Sequence, residues 1–179
     1  RVGERIWAVY AQLTWQGELM GRPAGLVAGA RFENTRVNAF SIVAQPDRIE
    51  WDSDNDFSRV IGASTVAITR SGEYNNLLPA IDFRIEPMDN VVARVSLSKT
   101  LARADYANLF ASVSANAPNR PTFLGGIPTG SGGNPDLKPL VSQNLDISLE
   151  WYYDRSSYVS AGFFAKNVKN FVGQGTFSE

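Results

Sequence analysis

"LVSQNLDISLEWYYDRSSYVSAGFFAK", Leu140 to Lys166, decides the fold class. Leu145, Ile147, Leu149, Trp151 and Tyr153 take every second position, and Asn144, Asp146, Ser148 and Glu150 fill the places between. Side chains of a strand alternate between its faces, so this spacing gives one apolar and one polar face. "DRSS", Asp154 to Ser157, turns the chain. Val159, Ala161, Phe163 and Ala165 then run back opposite Ser160, Gly162, Phe164 and Lys166. The spacing predicts an antiparallel hairpin with long arms.

Two further hairpins precede it. In Ile6 to Trp15, the set Trp7, Val9, Ala11, Leu13 and Trp15 is unbroken apolar surface with aromatics at both ends. A short turn within 17–23 leads into Ala24 to Arg36, where Leu26, Ala28, Ala30 and Phe32 alternate with Gly25, Val27, Gly29, Arg31 and Glu33. Asn75 to Glu86 sets Leu77, Pro79, Ile81, Phe83 and Ile85 against Ala80, Asp82, Arg84 and Glu86. "PMDN" at 87–90 turns it into Val91 to Thr100, with Val91, Ala93, Val95 and Leu97 opposite Val92, Arg94, Ser96 and Ser98. Six strands result, joined by short turns at about 17–23, 87–90 and 154–157 and by long loops at about 37–73 and 102–141. The first long stretch holds extended segments near Ser41 to Ala44 and Val60 to Thr69. Pro79 is the exception, because a ladder strand wants the N–H that proline lacks.

Composition removes many alternatives. At 44% hydrophobic and 20% charged, the chain is not expected to be disordered, and a net charge of −1 gives no electrostatic case for nucleic acid. The absence of Cys excludes disulfides and thiolate metal sites, and the absence of His excludes a Ser-His-Asp triad. No run approaches the roughly 18 apolar residues of a transmembrane helix. "RVGERIWAVY" lacks the layout of a signal peptide and enters a strand pattern within a few residues, so the chain reads as a piece of something larger.

Strands of roughly 10 residues match the length a tilted strand needs to cross a bilayer. Lipid offers no hydrogen-bond partner, so a spanning sheet must close on itself and present apolar side chains outward. Short turns on one side, long loops on the other, aromatics at strand ends and charges on the second face describe an outer-membrane barrel. A passive porin-type channel fits the same pattern, and a soluble β-rich binding or adhesion module fits the alternation alone.

"GGNPDLKPLVSQNLDISLEWYYDRSSYVSAGFFAKNVKNFV", Gly132 to Val172, resembles the G-N-P-x-L-K-P, strand, turn, strand and "FxKxIxNF" segment of TonB-dependent outer-membrane receptors. "YNNLLPAIDFRIEPMDNVVARVSLSKTLARADYANL", Tyr74 to Leu109, is similar to another stretch of their barrels, Pro79 included. "WDSDNDFS", Trp51 to Ser58, looks like one of their loops, whereas Ala104 stands where the family usually has proline. The resemblance implies an all-β, antiparallel transmembrane barrel of about 22 strands. This chain would supply about six of them, as a portion of the C-terminal half. It further implies the bacterial outer membrane and active import of a scarce nutrient such as siderophore-bound iron, cobalamin or an oligosaccharide. The implied partners are membrane lipid, the nutrient, the receptor's own N-terminal plug and TonB. No cofactor and no enzymatic activity are implied.

Trp51, Phe57, Tyr106, Phe110, Arg120 and Phe123 fall in the two long loops and are the candidate ligand contacts, since aromatics with arginine suit a planar or sugar-like ligand. Arg31, Glu33, Asp82, Arg84, Arg94, Asp146 and Glu150 are expected to face the lumen, as a solvated and mutually paired wall. Trp7, Trp15, Trp151, Tyr152 and Tyr153 read as interfacial girdle residues. Asp52, Asp54 and Asp56 imitate half a calcium loop, but Phe57 stands in place of its glycine and Ala63 in place of its final glutamate. A solvated acidic loop is the better reading, and no metal site is expected.

Overall fold

The structure, a computed structural model, describes residues 1–53, 56–116 and 129–173, with side chains left out at 56, 57 and 115. β1 (Val2–Leu19), β2 (Arg22–Ser53), β3 (Asp56–Met88), β4 (Val91–Ala102), β7 (Leu140–Asp154) and β8 (Ser157–Lys169) form one sheet in that order. β5 (Val113–Asn116) and β6 (Thr129–Gly132) form a separate small hairpin, and a 3-10 turn occupies Tyr106–Leu109. Every ladder described is antiparallel.

The short turns follow their chemistry. Met20 and Gly21 both have positive φ, 55° and 73°, the backbone a two-residue turn needs to match strand twist. Asn90, at φ 63°, takes the left-handed position of the second turn, a conformation asparagine tolerates. Arg22 Nη1 contacts Asp89 Oδ1 at 2.7 Å, linking the residues that leave one turn and form the next. In the third turn the Arg155 N–H donates to Asp154 Oδ1 at 2.8 Å. Beside each of the last two turns the register slips, between Ile85 and Met88 and between Tyr152 and Asp154. Pro87, without a donor, sits in the first slip, where a missing ladder bond is tolerated.

The register carries the alternation across four strands. Phe83 pairs with Val95, Val95 with Ile147, and Ile147 with Phe163. The neighbouring apolar rows run Ile81, Leu97, Leu145, Ala165 and Ile85, Ala93, Leu149, Ala161. Between them lie the rows Asp82, Ser96, Asp146, Phe164 and Arg84, Arg94, Ser148, Gly162. The apolar rows are not a buried core: Phe163 is 61% and Leu149 50% exposed. Bare rows of this kind on a regular sheet are expected where lipid is the solvent.

Two compact units divide the chain. One comprises Ile6–Thr35, Tyr74–Arg103 and Lys138–Glu179 and holds the regular registers above. The other comprises Arg1–Arg5, Arg36–Glu73 and Ala104–Leu137, with Val37, Ala39, Leu109, Ala111 and Pro135 buried. Within 37–73, expected as a loop with short extended pieces, the described residues are strand instead: β2 continues to Ser53 and β3 begins at Asp56. At about 3.3 Å per residue each arm extends to roughly three times a bilayer crossing. A hairpin whose arms pair with each other satisfies its backbone in water, so it needs no apolar face to persist.

The connection from β4 to β7 ends in a tightly held segment. The Asn134 N–H donates to the Asn108 carbonyl at 2.8 Å, and the Asp136 N–H to Asn134 Oδ1 at 3.0 Å, an Asx turn. Gly133 has no room for a side chain, because a Cβ there would lie 2.5 Å from the Phe110 carbonyl oxygen. Pro135 and Pro139 are buried. Pro139 ends the segment with its carbonyl accepting from Asn170 Nδ2 at 3.1 Å, and β7 starts at the next residue.

Candidate functional site

Alternation places the predicted charges on one face of the sheet, and hydrogen bonding then sorts them. Arg84 and Arg94 are direct cross-strand partners, a like-charge pair that each escapes through a carboxylate. Arg84 Nη2 lies 2.5 Å from Glu86 Oε1, and Arg94 is paired with Glu150. Glu150 also accepts from the Tyr152 hydroxyl at 2.7 Å. Ser96 Oγ donates to Asp82 Oδ1 at 2.6 Å. Farther along the same face, Asn144 Nδ2 donates to Ser98 and Thr100 hydroxyls, both at 3.2 Å, and Asn144 Oδ1 accepts from Ser142 at 2.7 Å. Asp146, exposed, lies opposite Ser96 and Phe164.

Glu33 is the most enclosed charge of the set, 6% exposed. Arg31 Nε donates to Glu33 Oε1 at 2.5 Å, and Arg103 Nη2 to its Oε2 at 2.6 Å. A buried carboxylate needs such partners to remain ionised. Thr35 and Asn76 are buried in the same unit, and Thr35 Oγ1 and Asn76 Nδ2 have no hydrogen-bond partner among the described residues. Arg103, Thr35 and Asn76 were not among the expected site residues. Arg103 lies just past the end of β4, where the alternation that identifies faces has stopped.

The girdle expectation needs one correction. Trp151 and Tyr153 pack together with ring centroids 5.6 Å apart, and Trp7 meets Phe32 edge-on at 6.3 Å. Tyr152 instead shares the polar face, hydrogen-bonded to Glu150 and stacked on Tyr158 at 5.4 Å. Three successive aromatics cannot all point one way from a strand.

The loop candidates separate. Trp51 is 66% exposed on β2, Tyr106 (58%) opens the 3-10 turn, and Phe110 (40%) follows it. The Tyr106 hydroxyl lies 3.4 Å from Glu4 Oε2. Phe57 is in β3, with its side chain outside the described residues, as are Arg120 and Phe123. Asp52 accepts from Ser58 Oγ at 3.1 Å, and Asp54 of the calcium-like run falls outside the described residues.

A long-stranded antiparallel sheet with one bare apolar face and one ion-paired face is wall of a transmembrane β-barrel. The family model described as TonB dependent receptor-like, beta-barrel, matches residues 1–178, and the chain belongs to that family. It is a transporter family of the bacterial outer membrane that works with TonB and a transported ligand. No curated protein and no solved structure matched the chain.

Proposed function

We propose that this chain supplies wall and outward connections to a receptor that imports a scarce, bulky nutrient through the outer membrane, using energy relayed by TonB. Siderophore-bound iron, cobalamin and oligosaccharides are the candidate cargoes. The observation carrying this reading is the four-strand register, which sets Arg94, Glu150, Asp82 and Asp146 on one face and Val95, Ile147 and Phe163 on the other, in a chain of this family. The charged face would line the lumen, where Arg31, Glu33, Arg84, Arg94 and their partners meet water or a plug. The long β2–β3 hairpin and the 103–139 connection would stand outside the cell, with Trp51, Tyr106 and Phe110 offering ligand contacts. These side chains bind and orient, and none is asked to make or break a covalent bond.

Growth on each candidate nutrient as sole source, in cells with and without the full-length receptor, tests the reading. Uptake should depend both on the receptor and on TonB. Uptake that persists without TonB would make the protein a passive channel.

A further inference from the structure

One row on the apolar side of the sheet is out of character. Lys99 pairs in register with Gln143, and Gln143 with Asn167. This polar row shares the face of Leu97, Leu145 and Ala165 and lies between that row and the row Leu101, Val141, Lys169. Lys99 and Lys169 make no ion pair or hydrogen bond among the described residues, and the three rows contain no carboxylate. Asp82, Asp146 and Glu150 belong to the opposite face, and Asp154, past the register slip, lies at the far end of β7. Charge in these three rows is therefore uniformly positive.

The same place is hollow. The β3–β4 ladder begins at Ala80 and Ser98, so Pro79 lies immediately outside it, and β4 from Lys99 onward pairs only with β7 in the registers described. A proline cannot donate the bond that would extend the ladder. An open cavity of about 500 Å³ lies where that pairing stops, floored by Pro79, Ile81, Leu97, Leu145 and Ala165. Lys99, Gln143 and Asn167 rim it. Pro79, awkward as a ladder residue, has its place as the residue that opens this gap.

We propose that the hollow, with Lys99 on its rim and Lys169 in the next row, binds a phosphorylated glycolipid of the outer leaflet. An acyl chain would fill the apolar floor, Lys99 and Lys169 would hold phosphate, and the amides of Gln143 and Asn167 would meet sugar hydroxyls. Cations with adjacent amides and an apolar trough match a phosphorylated, polyhydroxylated head on acyl chains better than a bare alkyl surface. The outer leaflet follows from position: the hollow lies at the end of β4 and β7 nearest the long connection, and long loops are extracellular in such barrels. The proposal rests on the reading of this face as lipid-exposed. It is independent of the imported nutrient, so lipid retention and nutrient uptake succeed or fail separately.

The test is native mass spectrometry of the full-length receptor in detergent, titrated with diphosphorylated lipid A. Wild type should retain the lipid, and the dephosphorylated form should be held more weakly. Lys99→Gln and Lys169→Gln should each weaken retention about fivefold and together about 25-fold. Arg155→Gln, a cation in the turn at the far end of β7 and no part of the cavity lining, should leave it unchanged. Ala165→Trp, which fills the floor with the charges intact, should displace the lipid, and it decides the matter if a lysine variant fails to fold. Undiminished retention by the double lysine variant or by Ala165→Trp overturns the site. An equal loss in Arg155→Gln, or equal affinity for phosphatidylglycerol, overturns the assigned occupant.

Discussion

The registers of β3, β4, β7 and β8 and the described residues of 37–73 are both antiparallel strand, yet they obey different rules. In the first, every second residue is apolar in the three central rows, from Ile81, Leu97, Leu145 and Ala165 to Ile85, Ala93, Leu149 and Ala161. In the second, "FSIVAQPDRIEWDS" runs on as β2 with Arg48 paired to both Asp47 and Glu50. Lipid on one side and water on the other force strict alternation. A hairpin bathed in water needs only its own ladder, so its sequence is free to drift. The solvent, rather than the secondary structure, writes the pattern.

The sharpest way to break this comparison is to put charge on the apolar face. Ile147→Arg should destabilise the full-length barrel by about 2–4 kcal/mol if it lies near mid-bilayer, measured by denaturant unfolding in lipid vesicles. A comparable substitution in the β2–β3 hairpin, which the proposed function sets outside the membrane, would have no lipid to offend. Next comes Glu33→Gln, which leaves Arg31 and Arg103 facing an amide. The loss of two charge-assisted bonds should cost about 1.5–3 kcal/mol in the same unfolding measurement, and no loss would mean that the pairing is incidental.

Gly72→Ala probes the other unit, because a Cβ at Gly72 would lie 2.5 Å from the Pro135 carbonyl oxygen. Overpacking of that kind should cost about 1–3 kcal/mol. It should show as faster amide exchange around Asn134 to Leu137 with the membrane strands unaffected. Asp146→Asn is the smallest, within about 0.5 kcal/mol, since Asp146 is exposed and has no ion pair among the described residues. If it cost as much as Ile147→Arg, the faces would be misassigned, because a one-residue slip exchanges them.

What could be read in advance follows from the same distinction. The faces of β3, β4, β7 and β8 were legible in the sequence because each residue there answers to lipid or to water. The strand character of 37–73 was legible only in pieces, near Ser41 to Ala44 and Val60 to Thr69, since Asp47, Arg48 and Glu50 carry no period that joins them. Tyr152 was grouped with Trp151 and Tyr153 by residue type, although alternation and the slip beside it send it to the Glu150 side. Arg103 as a partner of Glu33 depends on contacts 70 residues apart in sequence, which no local pattern encodes. Pro79 was visible as an exception, but the gap it opens exists only once Ala80 and Ser98 are seen to end a ladder.

The central claim is that odd-numbered residues of β7 meet lipid and even-numbered ones meet the barrel interior. The chain has no cysteine, so single cysteines placed from Asn144 to Trp151 in the full-length receptor report position by position against no background from this segment. In native outer-membrane vesicles, a lipid-borne quencher should reach fluorophores at Leu145, Ile147, Leu149 and Trp151. A water-borne thiol reagent should instead modify Asn144, Asp146, Ser148 and Glu150. A period of two in opposite phase for the two reagents is the predicted result, and uniform or inverted labelling would contradict the account.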